Sequence, residues 1–96
     1  MNEDQKKQNL ALSRTAHDLT EVDYQQALAK RGDAGWREKQ RLLLADMALH
    51  LLQTSLKDGE LSEDDLKRSL FSILTISDQF IHGYDLKTIA DALYAS

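Results

Sequence analysis

An all-α fold is predicted, a small bundle of four to five helices around a long central one and paired into a dimer. Three observations carry this. The 96 residues contain no proline and only four glycines, whereas a sheet-rich domain of this size needs both in its turns. Those glycines, Gly32, Gly35, Gly59 and Gly83, fall between long stretches of good helix formers. The apolar residues within each stretch recur at helical spacing.

Residues 1–9 are almost entirely polar and are expected as a flexible lead-in, with residues 10–96 forming a single helical domain. A short helix over Leu10–Ala16 is followed by a start signal. Thr20 stands as N-cap, Asp23 three residues on, and Leu19 and Tyr24 as a hydrophobic staple. This second helix is expected to reach Arg31, where Gly32 ends it. Asp33 then caps the central helix, about Ala34 to Lys57. On it Leu42, Leu43, Leu44, Ala45, Met47, Ala48, Leu49, Leu51, Leu52 and Leu56 sweep roughly 260° of the circumference. Lys39, Asp46, His50, Gln53 and Lys57 occupy the remaining stripe, expected to be solvated. A helix so apolar must be covered on more than one side, so Leu43, Leu44, Met47 and Leu51 are expected in a core or dimer contact.

Gly59 ends the central helix. The next starts at Ser62 as N-cap, with Asp65 at the third position, Leu61 and Leu66 as staple, and three carboxylates in its first turn. It is expected to run to His82, with Leu66, Leu70, Ile73, Leu74, Phe80 and Ile81 on one face. Gly83 closes it, Asp85 caps a last short helix, and Leu86, Ile89, Ala90 and Leu93 face inward.

Charge and composition narrow the function. The net charge is −4, with residues 1–41 near balance and residues 42–96 holding four Lys/Arg against nine Asp/Glu. Such acidity argues against general nucleic-acid binding. The absence of cysteine excludes disulfides and thiolate chemistry. The charged first residues do not resemble a signal peptide, and no apolar run approaches the ~18 residues of a membrane span, so a cytoplasmic location and no membrane partner are expected.

No catalytic motif is present, and neither an enzyme activity nor a cofactor is expected. Asp58, Gly59, Leu61 and Asp65 match the second half of a calcium loop, but Thr54 and Leu56 stand where its first oxygen ligands belong. Asp46 with His50, and Asp78 with His82, share i, i+4 spacing that could chelate zinc. No third group identifiable from the sequence converges on either pair, so solvated ion pairs and no metal are expected. Lys30, Arg31, Arg37, Lys39 and Arg41 surround the single tryptophan, Trp36, and form the nucleic-acid candidate; Trp36 itself aligns with Leu43 and Met47 as a core anchor. Phe71 and Ile76 lie outside the main apolar face of their helix. Phe71, Thr75, Asp78 and His82 form a stripe suited to a protein partner, unless the first helices of the same chain cover it.

Residues from about Leu43 to Tyr94 resemble the AriR/YmgB-type small biofilm and acid-resistance regulators. The resemblance is carried by Leu44-Ala45 through Leu52, Lys57-Asp58-Gly59-Glu60-Leu61-Ser62, the run Ser69 to Asp78, and Ile89 to Leu93. It implies a homodimeric helical connector to a signalling phosphorelay, with DNA binding also proposed for such proteins. The long segment before residue 40 departs from their compact form. The first reading is therefore a non-enzymatic homodimer that regulates by binding another protein. The alternatives are a DNA-binding regulator using residues 30–41, and an inhibitor or antitoxin-like protein whose acidic half fills a basic site.

Overall fold

The computed structural model describes residues 1–95, which form four helices and, among the described residues, no strand. They are α1 (Glu3–Gln26), α2 (Trp36–Leu56), α3 (Glu63–Ser77) and α4 (Leu86–Ala92). Each packs on the next in the chain: α1 on α2, α2 on α3, α3 on α4, with no contact between α1 and α3.

The first helix differs most from expectation. Residues 1–9, expected as a flexible lead-in, are helical from Glu3. Asn2 Oδ1 accepts the Gln5 amide at 2.8 Å while Gln5 Oε1 accepts the Asn2 amide at 3.1 Å, a reciprocal cap. Glu3 and Asp4 add favourable charge to the first turn. No glycine or proline interrupts residues 1–31, so nothing breaks the helix at Thr20. The Thr20–Asp23 spacing therefore caps nothing, and the two expected helices are one. It ends at Gln26 rather than Arg31. Gly32, with φ +95°, turns the connection, and Asp33 Oδ2 accepts the Lys30 amide at 2.7 Å. Asp33 thus closes the loop rather than capping α2, whose N-cap is Gly35.

Downstream, the expected caps are in place. Ser62 Oγ accepts the Asp65 amide at 3.2 Å, and Asp85 Oδ1 accepts that of Thr88 at 3.1 Å. The third helix stops at Ser77, short of the expected His82. Gln79 N–H bonds to Ile76 O and Phe80 N–H to Ser77 O, tightening the chain into turns. Asp78 Oδ1 accepts the Leu86 amide at 3.0 Å, tying the end of α3 to the start of α4.

Burial is inverted relative to the leucine-rich expectation. Among the described residues the only buried apolar ones are Ile76 and Ala90, while Ser13, Gln40, Asp46 and Ser69 are buried polar ones. Asp46, placed on the solvated stripe by the sequence, sits in the α1–α2 seam. Gln40 sits in the α2–α3 seam, where Gln79 Nε2 donates to its Oε1 at 2.9 Å. Leu43, Leu44, Met47 and Leu51 are half-buried, as is Trp36.

The reason is geometric. The chain spans 44 × 37 × 18 Å with a radius of gyration of 15.1 Å, against about 13 Å for a compact domain of this length. It exposes 6917 Å², whereas a folded monomer of 10.9 kDa exposes about 5,600 Å². With α1 and α3 on two flanks of α2 and no helix across them, one side of the slab stays open. Helical spacing from the two seams places Leu42, Ala45, Leu49, Leu52 and Leu56 of α2 on that side. Leu12 and Leu19 of α1, 69% and 65% exposed, stand on the flank of α1 turned away from His17, while Leu66 and Leu70 of α3 lie on the same side as the α2 leucines. The opposite side carries His50, Thr54, Arg68 and Ser72 around a polar-rimmed groove.

Candidate functional site

The densest polar cluster lies in the α1–α2 seam. Because α1 is continuous, His17 and Thr20 stand three residues apart on the face that meets α2, and Asp46 and His50 stand four apart on the opposing face. His17 Nε2 and His50 Nε2 are 2.8 Å apart. His17 Nε2 lies 3.4 Å from Asp46 Oδ1, and His50 Nε2 lies 3.5 Å from Asp46 Oδ2. Thr20 Oγ1 is 2.9 Å from both Asp46 Oδ1 and the His17 carbonyl, its one proton serving one acceptor at a time. On the far side of its ring, His17 Nδ1 faces Glu21 Oε2 at 3.6 Å and Asp18 Oδ1 at 3.7 Å. The carboxylate of Asp46 is the buried member; the His50 side chain is 45% exposed and opens onto two surface grooves.

This overturns the expectation of a solvated Asp46–His50 pair lacking a third group. The third group is His17, which the sequence placed in a break between helices. The signal that could have found it is the His17–Thr20 spacing within a stretch free of helix breakers.

The other candidates are distributed differently. Asp78 turns to the Leu86 amide, and His82 is exposed beyond the end of α3, so that i, i+4 pair does not form on a helix. The stripe Phe71, Thr75, Asp78 and His82 is likewise not one continuous exposed face. Phe71 packs edge-on against Tyr94 with ring centroids 5.2 Å apart, and Lys87 Nζ sits 4.4 Å above its ring. Its cover is Lys87 of α4 and Tyr94 just beyond that helix, not the first helices. Thr75 Oγ1 is buried without a hydrogen-bond partner among the described residues.

In the basic stretch, Lys30, Arg31, Arg37 and Arg41 are exposed and Lys39 is half-buried. Arg37 lies over Phe80 at 4.8 Å, Lys39 over Tyr24 at 4.8 Å, and Arg41 bonds to Glu38 at 2.8 Å. Three of its five cations thus have partners in the same chain. The half-formed calcium loop is also engaged elsewhere: Thr54 and Leu56 are helical, Asp58 pairs with Lys6 at 3.1 Å, and Asp65 with Lys57 at 2.7 Å. The Lys57 hydrogen bond holds the Asp65 carboxyl below its ordinary value. The Thr88 hydroxyl, then its amide, does the same for Asp85.

The architecture defines a class, an all-α protein whose described residues form four helices packed in chain order. No helix of the described residues is long and apolar enough to cross a membrane. Comparisons with protein families, with curated proteins and with solved structures return no match to this chain.

Proposed function

We propose that the chain is a non-enzymatic interaction protein that works as a homodimer, two copies meeting through the apolar side of α2. The observation that carries this reading is the surplus surface, about 1,300 Å² beyond that of a compact monomer of equal mass. A stable dimer needs about 800 Å² per partner, so a second copy is a sufficient occupant. Leucines at helical spacing self-complement across a two-fold axis, as a symmetric contact requires. The regulatory role, binding a signalling protein in the cytoplasm, rests on the resemblance to the small biofilm and acid-resistance regulators. The dimer would leave the polar side free for that partner.

Sedimentation velocity tests the assembly. The wild type should sediment as two chains at micromolar concentration. Leu52→Glu should sediment as one, because it places a charge where no partner could balance it. A one-chain mass for the wild type throughout that range rejects the reading.

A further inference from the structure

We propose that His17, Asp46 and His50 form a Zn²⁺ site that clamps α1 to α2. The three side chains each offer a ligand atom, and these atoms lie within 4.8 Å of one another. Two imidazoles and one carboxylate are a nitrogen–oxygen set that suits zinc, whereas calcium and magnesium require oxygen alone. Tetrahedral zinc with bonds of about 2.0–2.1 Å sets its ligand atoms about 3.3 Å apart. The Nε2–carboxylate separations are close to that edge but use different oxygens, His17 to Oδ1 at 3.4 Å and His50 to Oδ2 at 3.5 Å, so a monodentate Asp46 must turn its carboxylate to present one oxygen to both rings. The Nε2–Nε2 separation of 2.8 Å must open by about half an ångström to match the same edge, which the half-exposed His50 ring can supply by rotating.

The outer groups fit the same reading. Zinc-bound histidines characteristically give their other ring nitrogen to a carboxylate or carbonyl, which fixes the tautomer. The His17 Nδ1 faces Glu21 and Asp18, leaving Nε2 for the metal. Thr20 holds Asp46 Oδ1. Asp46 is buried with two imidazoles as its nearest basic groups, and a divalent cation would balance its charge. A fourth ligand position would face the groove beside His50, where water can reach it. Since α1 contacts no helix but α2, a metal across this seam would govern whether the N-terminal helix stays docked.

The test uses the full, untagged chain stripped with chelator and titrated with Zn²⁺ by calorimetry and with Co²⁺ by visible absorption. One metal per chain is expected, with the ligand-field bands of tetrahedral cobalt. His17→Ala and His50→Ala should each weaken binding more than about 100-fold, since losing even an outer partner of a ligand costs 10–100-fold. His82→Ala, the remaining histidine, should bind as the wild type does. Histidine-ring NMR of the unmutated chain gives a readout independent of variant folding: zinc should shift the Nε2 signals of His17 and His50 and leave His82 in place. Absence of binding up to 100-fold molar excess of zinc (the chain at about micromolar concentration), equal loss in His82→Ala, or ring shifts confined to His82 overturns the site. The site is read from metal stoichiometry and ring shifts and the dimer from sedimentation mass, so either can fail while the other stands.

Discussion

Leu52 is the position at which the dimer reading is most exposed to refutation. It is half-buried, on the open side of α2, away from both the Asp46 seam and the Gln40 seam. Complete burial of a leucine side chain is worth about 1.5–3 kcal/mol, so covering the roughly one third or less that remains open adds about 0.5–1 kcal/mol per chain. A two-fold contact counts it twice, giving about 1–2 kcal/mol per dimer, and imperfect closure of the gap after truncation raises this toward 3 kcal/mol. At 1.4 kcal/mol per tenfold, Leu52→Ala should raise the dimer dissociation constant by about 5- to 150-fold. Sedimentation equilibrium across a concentration series reads that constant directly, and far-UV circular dichroism at a concentration where both proteins are dimeric should show unchanged helix content. If Leu52→Ala left the constant within threefold of wild type, the open side of α2 would not be the contact, whatever the mass of the assembly.

Three further outcomes are expected. Thr75→Val should raise the unfolding midpoint in urea, because it removes a buried hydroxyl with no partner among the described residues, whose desolvation costs about 1–3 kcal/mol; a lowered midpoint would mean the hydroxyl is satisfied. Phe71→Ala should cost about 1–2 kcal/mol through loss of the Tyr94 edge contact and the Lys87 cation, and should speed amide exchange at Ala90 more than in α1; uniform exchange would show that α4 is not what Phe71 holds. Asp65 and Asp85 have folded-state values held below the ordinary 3.8, so their contribution to stability is complete above that value and is lost as pH falls through the lowered ones. Asp85→Asn should flatten that acid-side decline in a pH series of thermal midpoints, and an unchanged slope would refute the assignment.

The sequence made the C-terminal half legible because its signals are local. Ser62 and Asp85 each hold a cap within their own turn, and Gly32, Gly59 and Gly83 adopt the positive φ that their place between helices implies. The N-terminal half misled because a cap signal is conditional on a break in the chain. Thr20 followed by Asp23 caps only where the preceding backbone leaves the helix, and nothing before Thr20 forces it to. That one error hid the cluster, since His17 belonged to no helix face until α1 was continuous. Asp46 was misplaced for a different reason. Periodicity ranks a face by its hydrophobicity, and the narrow polar stripe of α2 was assigned to water although it is what α1 covers.

That assignment of polar residues to seams and leucines to an open side has a physical consequence. A buried seam built on Asp46, His17 and His50 contributes little by hydrophobic burial and depends on every polar group finding a partner. It specifies one register for α1 on α2, because sliding either helix by a turn would separate His17 from Asp46 and leave a buried carboxylate unpaired. The apolar side has the opposite character, broad and tolerant, worth much in area and little in register. The two proposals therefore divide the molecule by function: the seam fixes the position of α1, and the open side of α2 takes the second copy. A metal bound at the seam would thus fix the helix that borders the surface on which a second copy docks. The dimer constant measured with and without zinc should differ for the wild type and agree for His17→Ala, with the zinc-free wild type resembling the variant.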